Sequence, residues 1–326
     1  IMKILSICVP TFNQPDEVFR LLESISTQVS SDIEVIVHDG SYSEDTKIVV
    51  EKYKKLMDIK YINLPGREVD YALVELIEFS SGKYVWWIGD DDIAPNSIER
   101  ILGILKKYSN LSFIYIDPQV AETSLFHMNM PHERFFTSKN ELLEKAGTAL
   151  GFISSCLFNK NDLGEDGLNE AREYIGTLFV NLFIVLNVIS NNEDLYYMNG
   201  PTVICYPNTI KVLKEQHIND DGSITNTAFE VFGINFKNIV MHFSSFYEKK
   251  VIRRVIKKSF GMAWRGVIVA WAGGWDEPKG KRLKMMKNFY MYPESWLALI
   301  LFNMPSRLNK LMYSAYRKFR FTRFFK

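Results

Sequence analysis

Short hydrophobic runs alternate in the first third of the chain with longer segments whose apolar residues recur every three or four positions. The continuous runs predict strands at residues 4–9, 33–37, 59–64, 84–88 and 111–116. The other spacing predicts four intervening helices, which begin at Pro15, Asp45, Val69 and Pro95. Strands that are apolar throughout are buried on both faces, as in a mostly parallel sheet covered by helices on both sides. The predicted fold class is therefore α/β.

Polar residues follow the predicted strands, at the sheet edge where α/β proteins bind their ligands. The candidates are Pro10, Thr11 and Asn13 after the first strand, Asp39 after the second, Arg67 and Asp70 after the third, and Asp90, Asp91 and Asp92 after the fourth. The chain contains neither Gly-x-Gly-x-x-Gly nor Gly-Lys-Ser/Thr. This excludes a dinucleotide fingerprint and a P-loop.

Three consecutive acids, Asp90, Asp91 and Asp92, directly follow the predicted strand at 84–88. Adjacent carboxylates repel each other, and a site that concentrates them usually contains a cation. Mg²⁺ and Mn²⁺ bind carboxylate oxygens together with ligand phosphates, so the triplet predicts a metal-bridged diphosphate. Asp39 stands apart from the triplet and is a candidate hydrogen-bond acceptor for a base or sugar. An Asp after a strand is also often a turn or cap residue, so both interpretations of Asp39 stay open.

The overall composition is that of a folded protein, with 326 residues of which 47% are hydrophobic and 24% charged. Cys8, Cys156 and Cys205 are far apart and form no Cys-x-x-Cys pair, so neither a zinc ribbon nor a disulfide framework is predicted. A reducing, cytoplasmic setting fits this cysteine usage. The apolar stretches are too short to span a bilayer, and the N-terminus does not resemble a signal peptide.

The net charge of +1 conceals two oppositely charged parts. Residues 1–248 contain 20 Lys/Arg and 35 Asp/Glu, a net charge of −15, whereas residues 249–326 contain 19 and 3, a net charge of +16. This asymmetry predicts an anionic partner for the basic part. From about Phe229 the pattern is helical, and its Trp, Tyr and flanking cations favour an anionic membrane surface.

Other interpretations of the basic part stay open. Its apolar residues could pack on the rest of the chain with the charges solvated, or form a homodimer interface. Interleaved aromatic and basic residues also suit nucleic acid. The acidic edge of the sheet argues against a polyanion there and no nucleic-acid motif is present, so no nucleic-acid partner is expected.

Three motifs together resemble the inverting family 2 glycosyltransferases of the GT-A (Rossmann-like) fold. They lie at residues 9–13 (VPTFN), 35–41 (VIVHDGS) and 82–92 (GKYVWWIGDDD), and their order and spacing match over roughly residues 3–120. The resemblance implies that Asp39 contacts the base of a nucleotide-sugar donor and Asp90 its ribose. It further implies that Asp91, with Asp92, holds Mn²⁺ or Mg²⁺ on the diphosphate. Gly89 occupies the first position of the family's Asp-x-Asp-Asp, which leaves the register open by one residue.

Residues 151–158 (GFISSCLF) and 174–177 (YIGT) look similar to a subgroup of bacterial polysaccharide transferases that includes abequosyltransferase-like proteins. This resemblance implies a lipid-linked or polysaccharide acceptor in O-antigen or capsule assembly. It also implies a protein that is peripheral on the cytoplasmic face of the cell membrane.

An inverting transferase needs a carboxylate to deprotonate the acceptor hydroxyl. The family usually has a Glu-Asp pair at the start of a helix on the acceptor side, and the candidate helix at 174–189 has none. Glu173 is the nearest acid, and Asp166 belongs to a Glu-Asp pair in a predicted Gly-rich loop. Both are candidate bases, with solvated loop acids as the alternative. His217 is a candidate contact to the metal or diphosphate, with a surface histidine as the alternative.

The predicted organisation is a GT-A catalytic domain at 1–228, with a nucleotide-sugar half at 1–120 and an acceptor half at 121–228. A basic, membrane-associating helical region follows at 229–326. The predicted function is metal-dependent, inverting glycosyl transfer. One alternative is a non-catalytic sugar-nucleotide-binding or scaffold protein that has lost the base. The other is a nucleotidyltransferase, whose usual Gly-rich, Lys/Arg-containing loop after the first strand is missing at residues 10–13.

Overall fold

The structure is a computed structural model that describes residues 3–120, 128, 130–200, 202–205, 230–272, 308 and 311. Its strands are β1 Leu5–Thr11, β2 Ile33–Asp39, β3 Ile59–Asn63, β4 Tyr84–Trp87, β5 Asp92–Ile93, β6 Phe113–Ile116, β7 Gln119–Val120, β8 Arg134–Phe135, β9 Cys156–Asn159, β10 Leu195–Met198 and β11 Val203–Cys205. Its α-helices are α1 Pro15–Ser26, α2 Asp45–Tyr53, α3 Val69–Phe79, α4 Ser97–Lys107, α5 Lys139–Ala146, α6 Lys160–Ala171, α7 Val180–Asn191, α8 Phe236–His242 and α9 Lys249–Ala272.

The main sheet has eight strands in the order β3-β2-β1-β4-β9-β6-β10-β8. Strands β1, β2, β3 and β4 are mutually parallel, as are β6 and β10, while β9 and β8 run antiparallel to their neighbours. The predicted α/β class with a mostly parallel sheet is therefore confirmed. Because β1 lies between β2 and β4, the loops that follow these three strands meet at one edge. A second, three-stranded sheet in the order β5-β11-β7 extends this edge.

Each face of the main sheet is covered by helices. On one face α1, α2 and α4 bury the apolar residues that their three-to-four spacing predicts, including Val18, Leu21 and Ile101. Pro15 begins α1, where a residue without an N–H leaves no helical hydrogen bond unmade. On the other face α3, α5, α7, α8 and α9 share one continuous core with the sheet. The burial of both faces accounts for the uninterrupted apolar character of the strands.

Most predicted elements are confirmed to within a few residues, and three differ for physical reasons. β2 continues to Asp39, because the backbone there is still paired with β1 and β3. The predicted Gly-rich loop around Asp166 is wrong: the segment is helix α6, and the turn-forming tendency of glycine produces only a kink at Gly164 (φ 66°). The predicted helix at 174–189 begins at Val180, after a connecting turn.

The described part of the basic region is helical, as predicted. A short π-helix at Glu230–Asn235 leads into α8, and α9 follows. In the part of the chain that the structure describes, no helix combines the length and the hydrophobicity needed to cross a bilayer. The apolar segment at 296–302 and the aromatic, basic tail at 313–326 lie outside the described residues.

Candidate active site

The carboxyl ends of β1, β2 and β4 form the edge where the candidate residues were expected. Thr11 is in register with Asp39 on β2, and Cys8 is in register with Trp87 on β4. Neighbouring strands lie about 4.8 Å apart, so Asp39 and the acidic loop after Trp87 are separated by two strand spacings, roughly 10 Å. One extended ligand can therefore contact both.

Asp39 is fully buried, and its carboxylate already accepts two hydrogen bonds. The backbone N–H of Ser41 donates to Oδ1 and the Tyr61 hydroxyl donates to Oδ2, both at 2.8 Å. Burial, followed by the hydrogen bond to Asp39, raises the pKa of Tyr61 well above its usual value, which keeps the hydroxyl protonated as a donor. Each carboxylate oxygen has a second lone pair, so Asp39 can accept a further bond from a ligand in a fixed orientation.

The loop after β1 is tied to the loop after β2. The Gly40 N–H donates to the Thr11 carbonyl at 2.9 Å, and the Asn13 N–H donates to the Ser41 hydroxyl at 2.7 Å. A Cβ at position 40 would lie 2.9 Å from the Arg67 carbonyl, which explains why glycine is needed there. Pro10 lies within β1, and the buried Thr11 Oγ1 has no hydrogen-bond partner among the described residues.

Arg67 follows the turn at Gly66, which has a φ of 79°. Its guanidinium lies 5.0 Å from the centre of the Tyr71 ring and 3.4 Å from the Glu75 carboxylate. Glu75 in turn contacts the buried His38 imidazole at 2.7 Å. The contact with Glu75 holds the Arg67 guanidinium beside the loops that follow β2 and β3. Because the side chain is exposed, its charge is accessible to a ligand.

Asp70 lies in the first turn of α3, but its carboxylate points to a different partner from the one expected. It is 1% exposed, and Oδ2 accepts the backbone N–H groups of Gly176 and Leu178 at 2.8 Å each. Burial raises the pKa of this carboxyl to about 6, although these hydrogen bonds oppose the shift. Asp70 therefore fixes the turn before α7, and its predicted contact with a donor stays a prediction.

Asp91 is the most enclosed member of the acidic triplet, at 2% exposure. The Ser154 hydroxyl donates to its Oδ2 at 2.5 Å, and the Cys205 thiol also forms a hydrogen bond with it. Burial, together with the charges of Asp90 and Asp92, raises the pKa of the Asp91 carboxyl to about 6. The carboxylate is thus held in place but poorly neutralised.

Arg20 on α1 provides one positive charge beside the triplet. Its Nη2 donates to the Asp90 carbonyl at 3.4 Å, and its Nε lies 3.6 Å from Asp92 Oδ1. Asp92 also lies in β5, where it is in register with Ile204 of β11. Burial raises the pKa of the Asp90 carboxyl. Among the described residues, this guanidinium is outnumbered by the three carboxylates of the triplet.

A divalent cation fits this excess charge. Within the described residues no group of three or more His, Cys, Asp or Glu side chains is arranged to hold a metal ion by itself. Mg²⁺ is usually held by only one or two carboxylates, with the phosphates of the substrate completing its coordination. Asp91 meets that requirement because it is desolvated and the negative charges of Asp90 and Asp92 flank it. His217 lies outside the described residues.

The two candidate bases lie in different places. Glu173 is exposed in the 3₁₀ turn Arg172–Tyr174, three residues before the N–H that bonds Asp70. Asp166 is exposed on α6. This helix begins where the Lys160 N–H donates to the Lys83 carbonyl, at the end of β4 opposite the acidic triplet. The structure therefore does not bring these two acids together.

Four contacting residues were missed by sequence reasoning: Tyr61, Arg20, Ser154 and Cys205. Ser154 reaches Asp91 because β9 returns antiparallel beside β4, which places the turn at Ile153–Ser155 next to the acidic loop. Its carbonyl accepts from the Trp86 indole at 2.9 Å and its hydroxyl accepts from the Gly89 N–H at 3.2 Å. The segment at 151–158 carried a resemblance, but nothing in its pattern indicated this partner.

Known proteins similar to this chain fall into one group. Residues 6–165 match the family model described as Glycosyl transferase family 2. Abequosyltransferase RfbV of Salmonella typhimurium is 25% identical over 62% of this chain and 66% of its own length. GalNAc(5)-diNAcBac-PP-undecaprenol beta-1,3-glucosyltransferase of Campylobacter jejuni is 36% identical over 28% of this chain and 30% of its own length. The match to each of these relatives thus spans less than two thirds of the relative's own length.

Among solved structures, Staphylococcus aureus TarS 1-349 superposes with a TM-score of 0.53 at 12% identity, covering 84% of this chain and 93% of that chain. The same protein in complex with UDP-GlcNAc gives a TM-score of 0.52 at 12% identity, with coverages of 84% and 93%. At this identity the likeness establishes the fold. The sheet order and these superpositions identify it as the GT-A fold.

Proposed function

We propose that this chain, which carries a glycosyl transferase family 2 domain in residues 6–165, transfers a sugar from a nucleotide-sugar donor to a glycan acceptor. The observation that carries the proposal is the placement of Asp39 and Asp91 on one sheet edge, two strands apart. One residue presents an oriented hydrogen-bond acceptor and the other an under-neutralised carboxylate. A nucleoside diphosphate offers a matching pair of features, a base with N–H groups and a diphosphate that binds metal.

In the proposed donor complex, Asp39 accepts a hydrogen bond from the base, and Arg67 adds charge beside the same loops. Pro10, Thr11 and Asn13 form the wall next to Asp39, where the buried Thr11 hydroxyl has no hydrogen-bond partner among the described residues. Asp90 faces the ribose. Asp91, with Asp92 beside it, holds Mg²⁺ or Mn²⁺, whose chemistry is to neutralise the departing diphosphate.

We propose that transfer proceeds by direct displacement with inversion. The acceptor oxygen attacks the anomeric carbon as the bond from that carbon to the diphosphate oxygen breaks, and a carboxylate takes the hydroxyl proton. Glu173 is the better-supported base. Its turn is followed by Gly176 and Leu178, whose N–H groups bond Asp70 near the carboxyl ends of the parallel strands. Asp166 lies on a helix that starts at the opposite edge, so it serves as the comparison residue.

The proposed acceptor is a lipid-linked or polysaccharide glycan in bacterial surface assembly. The support is the names of the relatives, an abequosyltransferase and a transferase that acts on an undecaprenyl-diphosphate-linked glycan. The proposed location is the cytoplasmic face of the cell membrane, where such lipid-linked substrates are accessible.

A non-catalytic sugar-nucleotide-binding protein is the second candidate. One observation favours it: the first turn of α7 contains no acid, and Glu173 is exposed rather than held beside the triplet. Binding without turnover would distinguish this candidate from the enzyme.

The test is thermal stabilisation by UDP-, GDP-, dTDP- and CDP-sugars with and without Mn²⁺, followed by turnover of any sugar that binds. A ligand specific for the native state raises the unfolding midpoint with its concentration relative to Kd. We expect one nucleotide class to give a Mn²⁺-dependent shift that Asp91→Asn abolishes. Asp58→Asn, an exposed carboxylate just before β3, is the matched control and should keep the shift. No shift with any nucleotide would contradict the proposed donor site.

A further inference from the structure

Helix α9 presents two opposite surfaces along its first four turns. Val251, Ile252, Val255, Ile256 and Phe260 are buried. Between them, six exposed cations recur in two adjacent rows of i, i+4 neighbours: Lys249, Lys250, Arg253, Arg254, Lys257 and Lys258. We call these six residues the α9 cationic face. At 1.5 Å per residue they cover about 14 Å of helix length.

The apolar side of α9 is already occupied by the rest of the chain. It packs against α5, α8, the turn at Gly147–Gly151 and the π-helix at Glu230–Asn235. Four of its buried residues belong to the main core cluster, and the Ser259 hydroxyl donates to the Phe232 carbonyl. This part of α9 consequently has no apolar face free to enter a lipid layer. Val251, Ile252, Val255 and Ile256 pack in the core, so these four residues differ from the lipid-facing side chains expected of an interfacial amphipathic helix.

Among the residues that the structure describes, few acids neutralise the α9 cationic face. Arg254 is paired with Glu144 at 2.5 Å and Lys250 with Glu248 at 2.8 Å. The other four cations form no ion pair with a carboxylate in the ranges that the structure describes. Two acids against six bases leave a net charge of +4 on one helix face.

We propose that the α9 cationic face docks on an anionic phospholipid surface by electrostatic attraction alone, without inserting apolar side chains. Charge complementarity identifies the partner: a bilayer offers a broad, flat array of phosphates that cations from both rows can approach together. No nucleic-acid motif is present in the sequence, and nucleic-acid binding is one of the outcomes that the test below distinguishes. The proposal does not depend on the enzyme being active.

The test is binding of the full chain to phosphatidylglycerol vesicles, measured by co-sedimentation, with phosphatidylcholine vesicles in parallel. Each cation near an anionic leaflet contributes about fivefold to partitioning, so Arg253→Gln with Lys257→Gln should weaken binding about 30-fold. The matched control is Lys52→Gln with Lys55→Gln, two exposed lysines at the end of α2 and just beyond it, which should bind like the wild type. Binding should disappear at 1 M salt, where the Debye length falls to about 3 Å.

Three results would overturn the proposal. If the Arg253/Lys257 variant binds as tightly as the wild type, another surface carries the interaction. If binding persists at 1 M salt or on phosphatidylcholine, apolar insertion carries it. If the chain binds duplex RNA at a salt concentration at which it does not bind the anionic vesicles, the partner is a nucleic acid. Circular dichroism of both variants checks that the helices remain folded.

Discussion

The ends of β2 and β4 present the same residue type at the same sheet edge in two different electrostatic states. Asp39 accepts hydrogen bonds from Ser41 and Tyr61, so neutral donors stabilise its buried charge. Asp91 has a hydroxyl and a thiol as partners, and two further carboxylates flank it. The first site has its full hydrogen-bond support in the protein itself, whereas the second keeps negative charge that the described residues do not neutralise.

This difference separates two tasks of a binding site. A carboxylate fixed by neutral donors is pre-organised to orient a hydrogen-bonding ligand. Clustered, desolvated carboxylates are unfavourable by themselves and become favourable when a cation binds. Variants at the two strand ends should therefore differ in which kinetic or thermodynamic quantity they change.

The largest expected effect is that of Asp91→Asn. Loss of a principal charge at the departing diphosphate should lower kcat about 10³-fold, the scale on which transition-state electrostatics act. The unfolding midpoint at pH 7.5 should stay equal or rise, because a carboxyl whose pKa is raised to about 6 is disfavoured as an ion. Rate assays and thermal unfolding measure the two quantities.

The control for that variant is Asp92→Asn, which removes the same charge one residue away. Because Asp92 faces Arg20 and lies in β5, we expect a lower midpoint and a smaller loss of rate than for Asp91→Asn. Equal loss of rate in both variants would contradict the view that Asp91 is the principal metal contact.

The next effect in size is that of Asp39→Asn, which should act on donor affinity rather than on the chemical step. A hydrogen bond to a charged acceptor is worth about 1.5–3 kcal/mol, so the KM for the donor should rise about 10- to 100-fold while kcat changes little. Tyr61→Phe, which removes one support of the carboxylate, should give a smaller rise. A kcat loss without a KM change in Asp39→Asn would show that the two strand ends do not divide the tasks in this way.

A smaller effect is expected for Ser154→Ala, because this residue acts by positioning Asp91. Loss of such a supporting contact to a metal ligand typically lowers metal affinity or activity 10- to 100-fold. We expect about 10-fold weaker activation by Mn²⁺, measured as the metal concentration for half-maximal rate. Ser155→Ala, the adjacent buried serine, is the matched control, and an equal effect there would point to a packing defect.

The smallest effect on transfer is expected for Asp70→Asn, a third buried carboxyl that bonds only to backbone N–H groups in the described structure. Its folded pKa of about 6 lies above the ordinary 3.8, so its stabilising contribution is present below pH 3.8 and is lost as the pH rises through 6. Over that window the loss is about 3 kcal/mol.

Asparagine does not titrate, so the stability of Asp70→Asn relative to wild type should increase from pH 4 to pH 7. Denaturant unfolding at several pH values measures this difference. A difference that does not change with pH would show that Asp70 is not the titrating group.

Local pattern predicted much of the structure of residues 1–120. The apolar runs of β1, β2 and β4 end within two residues of their predicted positions. The residues that follow these strands lie on one edge, because the carboxyl ends of parallel strands are on the same side of the sheet. The structure of residues 121–228, as far as it is described, was predicted less well. The nearby glycines led to the prediction that Asp166 lies in a loop. In the structure this segment is helical, and Leu163 and Gly167 are buried against neighbouring elements.

The sequence by itself determined the strand–helix alternation, the edge on which the aspartates lie and the division of charge at residue 249. These properties depend on residues close together in the chain. Only the tertiary structure decided that Ser154 reaches Asp91, that Asp70 bonds the turn before α7, and that the apolar side of α9 lies in the core. Those contacts join residues far apart in sequence. A hydrophobic or charged pattern indicates that a side chain will be buried or will need a polar contact. The packing of the helices and strands determines which residue provides that contact.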